Sequence, residues 1–274
     1  MSFNWINAEK FSIHSILLMD RWILQQLIGL KDSPRFATDE AYRKLLGIAL
    51  AYHPAIQWYF ISRCPESAER VNLLVENAPK NLSPEEVRKY EVIFLNEIDG
   101  FMVYMYPEEM NANCPYIRDW DPGRLLSIVD FTGKVVLDIG SGTGRLAFAA
   151  ATIARKVYAS EPTDRLREFM RDKIAKEKIT NVTVVDGTIE TIPFEDNTFD
   201  IAMCGYVLGL DYKQETALMR RVMKNGGYII NCQGEENEKN PAPKVELIAE
   251  GFEYSHYVSK TGGDVYRYWL MVRK

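Results

Sequence analysis

Apolar positions recur along the chain with two different periods, and the change falls near residue 130. Up to about residue 110 the spacing is three and four, the mark of helices with one buried stripe. The stretch "TDEAYRKLLGIALAYH" opens on cap-type residues and sets Tyr42, Leu45, Leu46 and Leu50 on one face. "LSPEEVRKYEVIFLNEIDGFMVYMY" offers a capping box in Ser83 and Glu86, with Pro84 at the first helical position. Val87, Tyr90, Phe94, Ile98 and Phe101 then form its inward stripe. "FSIHSILLMDRWILQQLIGL" is apolar enough to suggest a membrane span, but His14, Asp20, Arg21 and two glutamines interrupt it. It reads as a buried amphipathic helix. A bundle of four or five helices over residues 1–115 is expected, followed by an irregular linker, "YPEEMNANCPYIRDWDPG".

From about residue 133 strands alternate with helices. "KVVLDIG", "KVYASE", "NVTVVD", "FDIAMC" and "GGYIINC" read as buried strands. Helices are expected at 143–154, after the Thr163–Asp164 cap, at about 212–223 and at about 241–250. "FEYSHYVS" and "DVYRYWLMV", joined by "KTGG", read as a closing hairpin. The order predicts an α/β fold with a doubly wound, mostly parallel, seven-stranded sheet over residues 116–274, carrying an antiparallel strand at its end.

Charge narrows the partners. Residues 1–130 hold 13 Lys/Arg against 18 Asp/Glu and residues 131–274 hold 20 of each, so neither half is basic. A nucleic-acid substrate is therefore not expected, because a phosphate groove needs the opposite balance. The four cysteines are scattered, with no C-x-x-C pair, and the three histidines stand far apart. Neither a zinc site nor a disulfide framework is expected. The opening "MSFNWINAEK" has no basic leader, which points to a cytoplasmic protein without a membrane span.

Candidate chemistry sits where the first strand ends, in "VVLDIGSGTGRLAFAA". Parallel sheets bind ligands at the carboxyl ends of their strands, near the point where strand order reverses. Gly140 and Gly142 admit backbone conformations closed to other residues and let a ligand come close. The spacing is G-x-G-x-G, with Arg145 where a dinucleotide fingerprint would place its last glycine. Taken alone, such a loop is also compatible with a simple tight turn. Glu161, 21 residues after Gly140, ends the second strand and is able to accept two hydrogen bonds from a ribose.

Together these segments resemble the class I S-adenosylmethionine-dependent methyltransferases, near the broad group that includes the quinone-biosynthesis enzymes. "VVLDIGSGTGRLA" resembles their first motif, "VYASEP" the acidic second, and "GTIETIPFEDNTFDIAMC" the third-to-fourth stretch. "VMKNGG" is similar to the usual L-K-P-G-G, with Asn225 in place of proline. The resemblance covers about residues 133–231 and implies a Rossmann-like core with S-adenosyl-L-methionine as cofactor. It implies that Asp138, Gly140, Ser141, Gly142 and Gly144 line the cofactor loop, that Glu161 takes the ribose and that Pro162 lies beside the adenine. Thr188 stands where the family often has Asp, so adenine recognition falls to a weaker acceptor and to the backbone of Ile189. Cys204 matches a position near the donor's amino-acid end, and equally suits a small buried apolar residue.

Methyl transfer from a sulfonium is an in-line displacement, so positioning in a dry pocket supplies much of the rate and a base is needed only for a protonated acceptor. Tyr206 is the candidate pocket residue and Asp211 a candidate base, the latter also suited to capping a helix. Cys204–Gly205–Tyr206–Val207 lacks the Asp/Asn-Pro-Pro-aromatic motif of amino-methylating nucleic-acid enzymes. Tyr116, Arg118 and Trp120 would cover the donor, with Arg118 on its carboxylate, or else form a packed linker. The helices of residues 1–115 are expected to act as a lid and acceptor wall, with Trp5, Trp22, Trp58, Tyr104 and Tyr106 either lining that wall or filling the core. His14 and His53 are expected in the core. The leading expectation is methylation of a small-molecule acceptor. The alternatives are a catalytically inactive S-adenosylmethionine-binding regulatory or assembly protein, a protein or RNA methyltransferase, and a nicotinamide-dependent oxidoreductase.

Overall fold

The computed structural model describes residues 5–30, 34–234, 239 and 242–274. The chain divides into two compact units, residues 1–110 with 163–165, and residues 111–162 with 166–274.

In the first unit the described helices are α1 (Arg21–Leu27), α2 (Pro34–Thr38), α3 (Glu40–Tyr52), α4 (Pro54–Arg63), α5 (Ala68–Glu76), α6 (Pro84–Glu97) and α7 (Asp99–Met102). α3 starts where the Asp39 carboxylate accepts from the Ala41 and Tyr42 amides. α6 carries the expected capping box: Ser83 Oγ accepts from the Glu86 amide at 3.3 Å, and Glu86 accepts from the Ser83 amide at 2.7 Å. Val87, Phe94 and Ile98 are buried, while Tyr90 and Phe101 are half-buried.

The apolar run of residues 11–30 is not one helix. A 3-10 segment, Ile13–Leu18, ends before Asp20, whose carboxylate caps α1 by accepting from the Ile23 amide at 3.1 Å. The cap satisfies an orphan amide and restarts the helix, overriding a continuous apolar period. His14 departs from the expected core position, and Trp58 from the core alternative given for it. His14 is exposed and bonds Ser12, and Trp58 is 70% exposed. Half-buried His53 instead reaches the buried carboxylate of Glu91, at 2.5 Å.

The second unit begins with short helices in place of an irregular linker: α8 (Pro107–Asn113, which starts in the first unit), α9 (Pro115–Arg118) and α10 (Gly123–Leu126). Proline at the first position nucleates two of them. The strands are β1 (Val135–Ile139), β2 (Lys156–Ser160), β3 (Val182–Val185), β4 (Phe199–Cys204), β5 (Met223–Cys232), β6 (Glu253–Val258) and β7 (Asp264–Met271). They pair in the order β3-β2-β1-β4-β5-β7-β6, parallel from β3 to β5, with β7 antiparallel to both its neighbours. Helices α11 (Arg145–Ala151), α12 (Asp164–Glu177), α13 (Tyr212–Val222) and α14 (Val245–Ala249) complete the unit. The start of the helix expected at about 241–250 falls partly outside the described residues, on residue 241.

Side chains alternate across the sheet and make two cores. Val136, Met203, Ile230 and Cys232 pack with the alanines of α11 on one face. Leu137, Ile139, Cys204 and Ile229 pack with Met219 and Val222 of α13 on the other. Strand order reverses between β1 and β4, so their carboxyl ends frame the crevice in which such sheets take ligands. Among the described residues, no helix is long and apolar enough to cross a membrane.

Candidate active site

The bend after β1 is tied to the end of β2. Gly140 and Ser141 amides donate to the Ser160 carbonyl at 2.8 and 3.1 Å, and Ser141 Oγ donates to the Asp138 carbonyl at 3.0 Å. Gly140 has φ of 65°, and a Cβ there would lie 2.5 Å from Val207 Cγ2. Only glycine meets both demands. A Cβ at Gly142 would meet nothing within 4 Å, so that side of the bend is open to a ligand. Gly144, left-handed as well, is the residue before α11.

Opposite the bend stands Glu161, 5% exposed, with Oε2 accepting from the Gly142 amide at 2.8 Å. Its backbone is held on both sides. The Glu161 amide donates to Val185, and Arg167 Nη1 donates to the Glu161 carbonyl at 2.7 Å. Arg167 is 7% exposed and also pairs with Asp186 at 3.2 Å. Sequence spacing offers no signal for Arg167, a helix residue that acts through another residue's carbonyl. Thr143, another residue the sequence did not mark, donates to Asn111 at 2.6 Å.

Asp138 is 1% exposed, and among the described residues neither carboxylate oxygen has a hydrogen-bond partner of ordinary geometry. Burial pushes its carboxyl up to about 7; Ser141 and the charge of Arg145 oppose that rise. Such an orphaned acid next to an open glycine bend fits a polar ligand better than a purely structural role.

The third-strand end is half-buried. Thr188 Oγ1 donates to Glu190 at 2.5 Å and its amide to Thr191 Oγ1 at 2.9 Å, while Ile189 is buried and Pro162 half-buried. Cys204 is fully buried, and burial raises its thiol well above the usual range. Tyr206 is 40% exposed and meets Tyr116 edge-on, with ring centroids 5.7 Å apart. Arg118 is committed elsewhere, to Asp119 at 2.7 Å and to the Ala112 carbonyl. Trp120 is buried beneath the Arg145 guanidinium, 4.4 Å from its ring centroid. Asp211 caps α13, accepting from the Gln214 amide at 2.9 Å. The structure thus brings together Asp138, Ser141, Gly142 and Glu161, joins Tyr116 to Tyr206, and ties up Arg118 and Asp211.

The chain is similar to known methyltransferases. Residues 137–231 match the family model described as a methyltransferase domain. The chain is 27% identical over 194 residues to the ubiquinone/menaquinone biosynthesis C-methyltransferase UbiE of Klebsiella pneumoniae, covering 66% of this chain and 69% of that one. It is 33% identical over 118 residues to the demethylmenaquinone methyltransferase of Shouchella clausii, covering 41% of this chain and 50% of that one. In fold it is similar to a solved structure from Methanococcus maripaludis described as S-adenosyl-L-methionine-dependent methyltransferase, with a TM-score of 0.50 and 16% identity, over 62% of this chain and 94% of that one.

Proposed function

We propose that this chain, which carries a class I S-adenosyl-L-methionine-dependent methyltransferase domain, methylates a small-molecule acceptor and holds its cofactor with Glu161 and the 140–144 bend. The observation that carries the reading is the buried Glu161 carboxylate resting 2.8 Å from the Gly142 amide, beside an open glycine.

In this reading Glu161 accepts from the ribose hydroxyls, and its ionised oxygens give bonds about twice as strong as neutral ones. Arg167 acts as a positioning residue by fixing the Glu161 carbonyl. Gly140, Ser141, Gly142 and Gly144 shape the loop for the methionine and ribose portion, with Asp138 beneath them. Pro162, Thr188 and Ile189 border the adenine, and Thr188 gives a weaker acceptor than a carboxylate would. Cys204 packs near the donor's amino-acid end. The bound cofactor supplies an electrophilic methyl on a sulfonium, transferred by in-line displacement without a covalent enzyme intermediate. Tyr206, paired with Tyr116, is placed to border the acceptor. Asp211, already accepting a helix amide, contributes no base.

Calorimetric titration with S-adenosylhomocysteine tests the reading. Binding is expected for the native chain, and Glu161→Gln should weaken it by roughly tenfold to a hundredfold, the value of charge-assisted hydrogen bonds. No measurable binding by the native chain would overturn it. Formation of S-adenosylhomocysteine from the methyl donor across a panel of phenols, quinols and amines then tests turnover. Binding without turnover on any of them would favour a regulatory, inactive protein.

A further inference from the structure

At the carboxyl end of β5, three guanidinium groups gather with no carboxylate paired to them among the described residues. Arg145 Nη2 donates to the Cys232 carbonyl at 3.0 Å. Arg267 donates to the Arg124 carbonyl at 2.7 Å, and to Ser127 and Ser255 hydroxyls at 2.8–3.0 Å. Arg124 and Arg267 share the Tyr257 ring, at 3.8 and 5.7 Å from its centroid. All three charges act on the buried Cys232 thiol, opposing the rise that burial imposes on it. Among the described residues, no carboxylate forms an ion pair with Arg124, Arg145 or Arg267. Asp138 feels Arg145 only at a distance and makes no hydrogen bond to it.

Three buried donors belong to this cluster. Arg124 Nε, Arg145 Nη1 and Trp120 Nε1 are buried and lack an acceptor among the described residues. Each of these three is a donor with no accepting capacity, so none of the three can satisfy another. Trp120 is 8% exposed, and its indole packs in the same core as Cys232. Gathered like charges and orphaned donors both cost free energy, and one group answers both: an oxyanion, which supplies lone pairs and negative charge together. The flanking rings of Trp120 and Tyr257 add flat apolar surface beside it.

We propose that Arg124, Arg145, Arg267 and the Trp120 indole bind an oxyanion, the carboxylate or phosphate of an aromatic methyl acceptor. The proposal rests on the methyl-transfer reading and deepens it, because it gives the acceptor an anionic handle. The cluster gathers around the end of β5, the strand next to β4, beyond which Tyr206 follows, on the side of the sheet crevice away from Glu161 and β2.

The test uses the full chain saturated with S-adenosylhomocysteine, titrated calorimetrically with benzoate, phenyl phosphate and inorganic phosphate. One aryl oxyanion is expected to bind, more weakly at higher salt. Arg124→Gln and Arg267→Gln should each weaken it about tenfold or more while S-adenosylhomocysteine affinity stays within about twofold. Arg124→Lys keeps the charge without the fork and should fall between, which holds if a glutamine variant fails to fold. Absence of aryl oxyanion binding to the loaded chain would overturn the proposal, as would equal binding by the variants. Binding of inorganic phosphate alone overturns it as well. One-for-one competition with S-adenosylhomocysteine would assign the arginines to the donor and overturn it too. Failure of the native chain to bind S-adenosylhomocysteine at all is a separate result, and sinks the methyl-transfer reading itself.

Discussion

Two buried carboxylates, one in each unit, have opposite surroundings. Glu91 of α6 is 7% exposed and fully engaged: His53 bonds one oxygen at 2.5 Å and Arg88 the other at 3.0 Å. Arg88 continues to the carbonyls of Ala8, Glu9 and Phe11, so the acid anchors the start of the chain onto α6. Asp138 of β1 is 1% exposed and engaged by nothing of ordinary geometry among the described residues. A buried charge with partners holds a structure together; one without partners is costly and awaits something. Burial alone therefore does not mark a candidate site, whereas burial without satisfaction beside an open bend does.

Four measurements break or sharpen this contrast. The largest effect belongs to Asp138. Its carboxyl titrates at about 7 when folded, against an ordinary value of 3.8. The unfolded chain then loses its proton first, so stability from this group is full below pH 4, declines as pH rises, and is lost above 7. Urea unfolding from pH 4 to 8 should show a loss on the order of 4 kcal/mol that Asp138→Asn abolishes. A variant with the same pH slope as the native chain would remove the contrast. Glu91→Ala is expected to cost about 3 kcal/mol at pH 7 by stranding Arg88 and His53, with S-adenosylhomocysteine affinity unchanged. Gly140→Ala should cost about 2 kcal/mol through its positive φ and the Val207 contact. Pairing it with Val207→Ala recovers only the part due to the contact, measured by thermal unfolding. Asp211→Ala is the smallest, about 1 kcal/mol from a lost helix cap. Turnover should survive it; a collapse in turnover would restore Asp211 as a base.

Much of this was legible before any coordinates. The alternation of apolar runs with Gly140 and Glu161 at strand ends identified the sheet and its crevice, because backbone geometry leaves few residue types at such positions. The capping box at Ser83 was readable for the same reason: it is local. What escaped depended on distant partners. The apolar period of residues 11–30 hid the break at Asp20, where one side-chain cap outweighs periodicity. His14 and Trp58 share faces with apolar neighbours yet lie at the surface, since a helical stripe is wider than the region that packing covers. Arg145 was visible only as a departure from a glycine spacing. Its stacking on Trp120 and its bond to Cys232 join residues 25 and 87 positions away in the chain, beyond any local pattern.

Strand β7, paired on both sides, bears on how the molecule comes to be made. Its residues Tyr268 and Trp269 meet both β5 and β6, so neither of those strands gains this neighbour until β7 itself has left the ribosome. During translation β5, with Ile229 and Ile230, offers an uncovered edge of the kind that recruits chaperones or mispairs with another nascent chain. Completion of the sheet thus waits on β7, and substitutions that weaken this strand will lower the yield of folded protein before they alter its chemistry.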